Sequence, residues 1–272
     1  MYVIEFLKKE EILEIFDNNS SAVIEYLLRK ALYSQPEILP GQKVGYIQIT
    51  KEFLEQWIAQ GLGWNIVGSG SYPIDVYSDA LKCGADVKFM SAHIHTDGRF
   101  SSDQSGETSL GQKFTGSGNE LDQDFANKSH DKILNGWKGI LDAKINTPIK
   151  DFGLNQIYYF IFIRGGDTIN LAVAKVDVNR IQNITVGKFT GSSVFVNGFI
   201  DEKYGNVKIY KAKKRMELRC LPKNMDVDNL FIKWDFSRLV RSAGVKLRDL
   251  VQDREKFGEY IKKDIESFLT SL

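Results

Sequence analysis

The sequence predicts an α/β (α+β) fold in which helices flank a central mixed β-sheet. Near both ends of the 272-residue chain, apolar residues recur at helical spacing. The middle of the chain contains short apolar runs, and the longest, Ile157 to Ile163, is apolar on both faces, as a central strand covered on both sides would be. From residue 50 the order helix, strand, strand, helix, strand, strand predicts helices packed on one mixed sheet.

The individual elements follow from local signals. Residues 8–33 predict two short helices, and Val44 to Ile49 predicts a strand that precedes a helix capped by Thr50 and extending to Gln60. The predicted elements after this helix are strands at 72–78 and 83–90, a long loop at 91–118, a helix at 120–145, strands at 156–163 and 171–178, and further β segments and helices downstream.

These elements predict one domain over residues 1–272 with three regions. The core covers about 44–178, a β-rich region about 187–235, and two amphipathic helices the residues from 236 to 272. The net charge of +1 gives no whole-chain argument for a polyanionic partner. No apolar run approaches the roughly 20 residues of a membrane span, and the first residues lack the order of a signal peptide. With two widely separated cysteines in apolar contexts, we expect a cytoplasmic protein with reduced thiols and no membrane partner.

Acidic and basic residues on two consecutive predicted strands indicate a hydrolytic site. Asp75 lies on the first strand, and Asp86 and Lys88 on the second. Because side chains alternate along a strand, Asp86 and Lys88 share a face. Two carboxylates can bind a hard cation, and a nearby lysine can act on a bound water.

This pattern resembles the PD-(D/E)xK nuclease motif, and within that superfamily the type II restriction endonucleases. The first half here is Pro73-Ile74-Asp75, with one residue more than the motif between proline and acid, so Asp79 remains an alternative to Asp75; the second half is Asp86-Val87-Lys88. The resemblance implies a restriction-endonuclease-like core and a homodimer that cuts double-stranded DNA. Asp75, Asp86 and the Val87 carbonyl would hold Mg²⁺, and Lys88 would orient the attacking water.

Four further residues extend the candidate site. Many members of this superfamily draw an additional acid from a preceding helix, and Glu55 is the candidate here, with a solvated helix glutamate as the alternative. In the polar segment after residue 105, Gln112 and Lys113 are candidates for DNA contact. The same segment could fold back and place Glu107 or Gln112 near the metal. A solvated loop is equally consistent with this composition.

A basic β-like segment is the second candidate for DNA binding. Six basic residues and one acidic residue between Val207 and Arg219 give a local excess of five positive charges. A two-stranded ribbon fits a DNA groove, and lysine and arginine contact phosphates. The alternative is an edge strand protected by lysines against aggregation. The candidate DNA-binding residues of this segment are Lys208, Lys211, Lys213, Lys214 and Arg215.

Two other functions remain open from sequence alone. One is a DNA-binding protein that keeps a nuclease-like sheet without catalysis. The other is a histidine-dependent metal hydrolase, because His93 and His95 would share one face of a strand. The second alternative lacks ligands, since the chain contains only one further histidine, His130.

Overall fold

Two β-sheets with helices packed against them form the computed structural model, which describes residues 1–43, 47–68, 72–101, 105–112, 121–236 and 244–271. The strands are β1 (Ile4–Phe6), β2 (Asn65–Ile66), β3 (Val76–Ser78), β4 (Cys83–Ser91), β5 (Glu107–Gln112), β6 (Gln156–Gly165), β7 (Thr168–Val176), β8 (Thr185–Thr190), β9 (Ser193–Asn197), β10 (Gly205–Tyr210), β11 (Arg215–Cys220) and β12 (Ile232–Asp235). The α-helices are α1 (Lys9–Ile15), α2 (Asn18–Tyr33), α3 (Lys51–Leu62), α4 (Leu121–Ala126), α5 (His130–Phe152), α6 (Pro222–Val227), α7 (Leu247–Val251) and α8 (Arg254–Ser271), and a 3-10 helix covers Val178–Asn183. The predicted α+β class is confirmed.

The larger sheet is mixed and carries the predicted central strand. Its order is β1-β7-β6-β4-β3-β2, with β12 also paired to β7. Strands β4 and β6 are parallel and α5 lies between them in the chain, whereas the other pairs are antiparallel. Along β6, Tyr159 and Ile161 face one hydrophobic cluster and Phe160 and Phe162 face the other. The two-sided apolarity of this segment therefore reflects a strand covered on both faces.

Helices α2 and α3 cover one face of this sheet, and their ends follow the capping signals in the sequence. The Asp17 carboxylate accepts a hydrogen bond from the Ser20 N–H at 2.8 Å, and the Thr50 hydroxyl oxygen accepts one from the Phe53 N–H at 3.3 Å. Helix α3 ends at Gly63, whose φ of 65° lies in the left-handed region that glycine adopts without strain. The predicted helices of residues 8–33 and of the segment after Thr50 are confirmed.

The strand predicted from Val44 to Ile49 is wrong where it can be checked. Residues 44–46 lie outside the described part of the chain, and 47–49 form no strand. Here side chains, rather than a neighbouring strand, form the hydrogen bonds of the main-chain polar groups. The Gln35 side chain bonds both the N–H and the carbonyl oxygen of Gln48, and Arg164 donates to the Ile47 carbonyl.

The second sheet is antiparallel and has the order β5-β11-β10-β9-β8. Its apolar side joins the hydrophobic cluster on the α5 side of the larger sheet, through residues such as Val207 and Leu218. The predicted β-rich region is confirmed. Strand β5, however, lies within the predicted loop at 91–118, so that prediction was wrong for Glu107–Gln112. Its hydrogen-bonding partner, β11, follows about 100 residues later in the chain, where Glu107 lies opposite Arg219.

The predicted helix at 120–145 is two helices, α4 and α5, and α5 continues to Phe152 before Gly153 at φ 60° ends it. At the C-terminal end, α8 is confirmed and packs on α2, where the rings of Phe268 and Tyr33 lie 4.8 Å apart. The predicted helix from Phe236 is wrong in its extent, because the described part contains only the short α7, and residues 237–243 lie outside it.

Two expectations drawn from composition concern the cysteines and the membrane. Cys83 and Cys220 are buried and free, and burial raises the pKa of the Cys220 thiol to about 12. Their expected place in the core, without a disulfide, is confirmed. Within the described ranges, the chain has no helix with the length and apolarity that a membrane crossing requires.

Candidate functional site

The β3–β4 hairpin brings Asp75 to the edge of β4. The Asp75 N–H donates to the Ala85 carbonyl oxygen at 2.9 Å, and the Asp75 carboxylate accepts a hydrogen bond from the Val87 N–H at 2.6 Å. Asp75 thus continues the pairing of the hairpin just before β3 begins. Because the N–H and C=O of one strand residue point to the same side, the Val87 carbonyl lies on the edge that Asp75 occupies.

Asp86 and Lys88 lie on one face of β4, as the alternation of side chains predicted. The Lys88 ammonium contacts an Asp86 oxygen at 2.6 Å, and the two residues are only 7% and 3% exposed. Tyr159 lies opposite Asp86 in the parallel register of β6, and the Lys88 Nζ is 5.9 Å from the centre of its ring. The Asp86–Lys88 ion pair therefore packs against the Tyr159 ring in the protein interior.

A second lysine, which the sequence analysis missed, binds the same carboxylate. Lys144 projects from α5 and contacts the other Asp86 oxygen at 2.7 Å. Its ammonium also donates to the Leu110 carbonyl oxygen at 2.7 Å and lies 6.0 Å from the Tyr159 ring centre. No local signal marked Lys144, because its partners come from β4 and β5 rather than from its own helix.

The first turns of α3 add a third lysine and a third carboxylate. Lys51 contacts Glu55 at 2.7 Å on its own helix and Asp75 at 3.2 Å across the hairpin. Lys51 thus bridges the carboxylates of Glu55 and Asp75. Lys51 was not predicted as a site residue, although its spacing of four residues from Glu55 is that of a helical ion pair.

Burial and mutual charge perturb the protonation of this cluster. Burial, together with the nearby Asp86 charge, raises the pKa of Asp75 to about 7, despite Lys51 and the Val87 N–H. Burial also acts to raise the pKa of Asp86, but Lys144 and Lys88 outweigh it and hold that pKa well below its usual range. Burial lowers the pKa of Lys88 to about 8, whereas attraction to Asp86 outweighs burial at Lys144 and raises its pKa.

The donor chemistry of Asp75, Asp86 and the Val87 carbonyl fits a hard divalent cation, which prefers oxygen ligands. Burial first, and then the nearby Asp86 charge, raise the pKa of Asp75, so a cation bound beside it would favour its charged form. The Lys51 ammonium, 3.2 and 3.4 Å from the two Asp75 oxygens, shows that this position accepts positive charge. Over the described residues, no three His, Cys, Asp or Glu side chains form a metal-binding group, so a complete ligand set here requires the main chain and water as well.

Asp79, the alternative first acid, lies away from this cluster. Its side chain is 63% exposed at the hairpin turn, where it accepts a hydrogen bond from Asn65 at 3.0 Å and lies 3.9 Å from the Lys82 ammonium. Of the two candidate acids, Asp75 is the one beside Val87 and Asp86.

The histidines do not converge. His93 and His95 are exposed in the segment after β4, and His130 stacks on Phe189 at 3.9 Å near the start of α5. The geometry gives the histidine-dependent alternative no support.

The basic segment forms the β10–β11 hairpin, and part of its charge is neutralised by Glu217 of the hairpin itself and by acids from other parts of the chain. Lys213 contacts Glu107 at 3.0 Å and Glu217 at 2.9 Å, and Lys214 contacts Asp122 at 3.1 Å. The Lys208 ammonium lies 4.6 Å from the centre of the Phe195 ring. The sequence count therefore overestimates the free charge of the hairpin.

Of the five candidate DNA-binding residues of this hairpin, Lys208, Lys211 and Arg215 make no ion pair within the described structure, and Lys208 already lies over the Phe195 ring. Gln112 pairs through its main chain with Arg215, while its side chain and the whole of Lys113 lie outside the described residues. Glu107 binds Lys213, Arg219 and Tyr210, so it does not return to the Asp75 cluster.

No protein-family model, curated protein or solved structure matches this chain.

Proposed function

We propose that this protein is a Mg²⁺-dependent type II restriction endonuclease that hydrolyses double-stranded DNA at a short specific sequence and leaves 5′-phosphates. One observation carries the proposal. Just before β3, Asp75 accepts a hydrogen bond from the Val87 N–H, and Asp86 and Lys88 on either side of Val87 form an ion pair on β4, in the order and chemistry of the nuclease motif that the sequence resembles. Glu55 on the preceding helix is linked to Asp75 by Lys51, whose ammonium contacts both carboxylates.

The residues of this cluster have distinct roles in the proposed reaction. Asp75, Asp86 and the Val87 carbonyl would hold Mg²⁺, which when bound activates water and neutralises charge on the phosphate. Asp86 is held in its charged form by its two lysines, so a cation that binds it at neutral pH need not displace a proton. Asp75 has a pKa of about 7 and becomes fully charged when a cation offsets its burial.

Lys88 is suited to act on the phosphate or on water. Its ammonium is fixed against Asp86 at 2.6 Å, and burial lowers its pKa to about 8. A lysine whose pKa lies near neutrality can donate a hydrogen bond to negative charge that develops in the reaction. It can also exchange a proton with a neighbouring water. Because the side chain is buried, this contact needs little reorganisation during the reaction.

The test is cleavage of DNA of known mixed sequence in the presence of Mg²⁺. Wild-type protein should give discrete fragments with 5′-phosphate ends, and a chelator should abolish cutting. Asp86→Asn should lower the rate on the order of 10²- to 10³-fold, because it removes a charged ligand from the site. Asp79→Asn is the matched control, since it makes the same change on the same hairpin at an exposed position and should leave the rate unchanged.

DNA binding measured in metal-free buffer separates catalysis from DNA affinity. Asp86→Asn should still bind DNA in metal-free buffer. If wild-type protein binds DNA yet leaves every unmodified DNA intact with Mg²⁺, the non-catalytic DNA-binding alternative replaces this proposal.

The proposal also includes a homodimer, since one site per strand of a palindrome requires two copies related by a two-fold axis. Light scattering of the complex with DNA should give the mass of two chains plus one duplex. A cytoplasmic location belongs to the same proposal.

A further inference from the structure

Lys144 connects the candidate site to the second sheet. It lies on α5, its ammonium contacts Asp86 on β4 at 2.7 Å, and it donates to the Leu110 carbonyl on β5 at 2.7 Å. Three elements that are distant in sequence therefore meet at one ammonium group. The side chain is 19% exposed, so solvent screens these contacts only weakly.

Asp86 is gripped from both sides. Lys88 binds one carboxylate oxygen and Lys144 the other, at 2.6 and 2.7 Å, and the Tyr159 ring lies beneath both ammonium groups. A carboxylate with both oxygens fixed has little freedom to rotate. Lys88 shares the strand of Asp86, so Lys144 is the contact that sets the carboxylate relative to α5 and β5.

From this geometry we infer that Lys144 is a positioning residue that fixes the orientation of the Asp86 carboxylate. Through its hydrogen bond to β5, it also holds the second sheet at a fixed position relative to Asp86. The inference rests on the proposed function, because Asp86 is the ligand that it positions. The basic β10–β11 hairpin continues the same sheet, since β11 pairs directly with β5. DNA held by that hairpin would thereby be placed at a defined distance from Asp86.

The expected signature is opposite changes in metal affinity and rate. Lys144→Met removes a weakly screened positive charge beside Asp86, so a divalent cation should bind roughly thirtyfold more tightly or better. The freed carboxylate loses its orientation, so the cleavage rate at saturating Mg²⁺ should fall on the order of 10- to 100-fold. Lys144→Gln keeps a donor for the Leu110 carbonyl without the charge, and it serves where Lys144→Met is poorly folded.

Lys138→Met is the matched control. Lys138 lies on the same helix and also donates to a main-chain carbonyl, that of Gln182 at 2.9 Å, but it contacts no carboxylate in the described structure. It should change neither the affinity for metal nor the rate. Calorimetric titration with Ca²⁺ in the absence of DNA gives the affinity, single-turnover cleavage with Mg²⁺ gives the rate, and circular dichroism checks the fold.

Each outcome has a separate meaning. A folded Lys144 variant that cleaves at the wild-type rate overturns the inference, as does one whose metal affinity falls together with its rate. Wild-type protein that binds Ca²⁺ but cuts no DNA refutes the proposed function, and the Ca²⁺ titration of the variant then decides the inference by itself: tighter binding supports it, and unchanged or weaker binding overturns it. Wild-type protein that binds no divalent cation refutes both.

Discussion

Replacing Lys51 by methionine should strengthen the binding of a divalent cation at the candidate site. The Lys51 ammonium lies 3.2 Å from Asp75 and 2.7 Å from Glu55, so it occupies the region where the proposed cation would sit. A cation that enters must displace this ammonium or tolerate its repulsion. Methionine has a similar length and no charge, so both costs disappear.

The size of the effect follows from the exposure of the side chain. Lys51 is 44% exposed, so water screens its charge and the high-dielectric limit applies. Two unit charges about 4 Å apart then interact by about 1 kcal/mol, and a divalent ion doubles this to about 2 kcal/mol. Because about 1.4 kcal/mol corresponds to a factor of ten, the dissociation constant should fall roughly thirtyfold.

Calorimetric titration of the DNA-free protein with Ca²⁺ measures this change directly. Lys233→Met is the control, because Lys233 is similarly exposed, at 48%, and pairs with one carboxylate, Asp226, on another part of the fold. Its affinity for Ca²⁺ should equal that of the wild type. If Lys51→Met binds Ca²⁺ no more tightly than this control, the cation does not bind beside Asp75, and the assignment of Asp75 as a ligand fails.

Three further predictions concern the second sheet. Gly205→Ala should destabilise the fold by about 1–3 kcal/mol in chemical denaturation, because the new Cβ would lie 2.3 Å from a main-chain oxygen of β11; Gly139→Ala, in open space on α5, should instead stabilise by about 0.5–1 kcal/mol, and equal effects would contradict this reasoning. Burial opposes the charge of Glu107, but hydrogen bonds and cations lower its pKa from 4.5 to about 2, so its contribution to stability should be complete above pH 4.5 and lost as the pH falls toward 2. Glu107→Gln should therefore flatten the acid limb of a thermal-denaturation profile, and an unchanged limb would refute the assignment. Lys211→Ala and Arg215→Ala should each reduce the salt dependence of DNA binding by about one phosphate contact, measured by fluorescence anisotropy at several salt concentrations; an unchanged slope in both would exclude the hairpin from the DNA interface.

Local signals in the sequence determined the parts of the site that depend on neighbouring residues. The shared face of Asp86 and Lys88 follows from the alternation of a strand, which needs no knowledge of the rest of the fold. The start of the helix that carries Glu55 follows from the Thr50 cap, whose hydrogen bond spans three residues. The two-sided cover of β6 could likewise be predicted, because its apolar run is a property of the segment itself.

Tertiary structure decided which charges meet. Lys144 reaches Asp86 across 58 residues and Lys51 reaches Asp75 across 24, and neither spacing has a periodic signal. Strand β5 was predicted as a loop because its polar sequence gains its β-structure from pairing with β11. The basic hairpin carries less free charge than the sequence suggests because Glu107 comes from that same strand. Sequence by itself thus determined the Asp-x-Lys pair and the strand that presents it, whereas the fold chose Asp75 over Asp79 and supplied the lysines around both acids, since contacts between distant segments form only when the sheets pack.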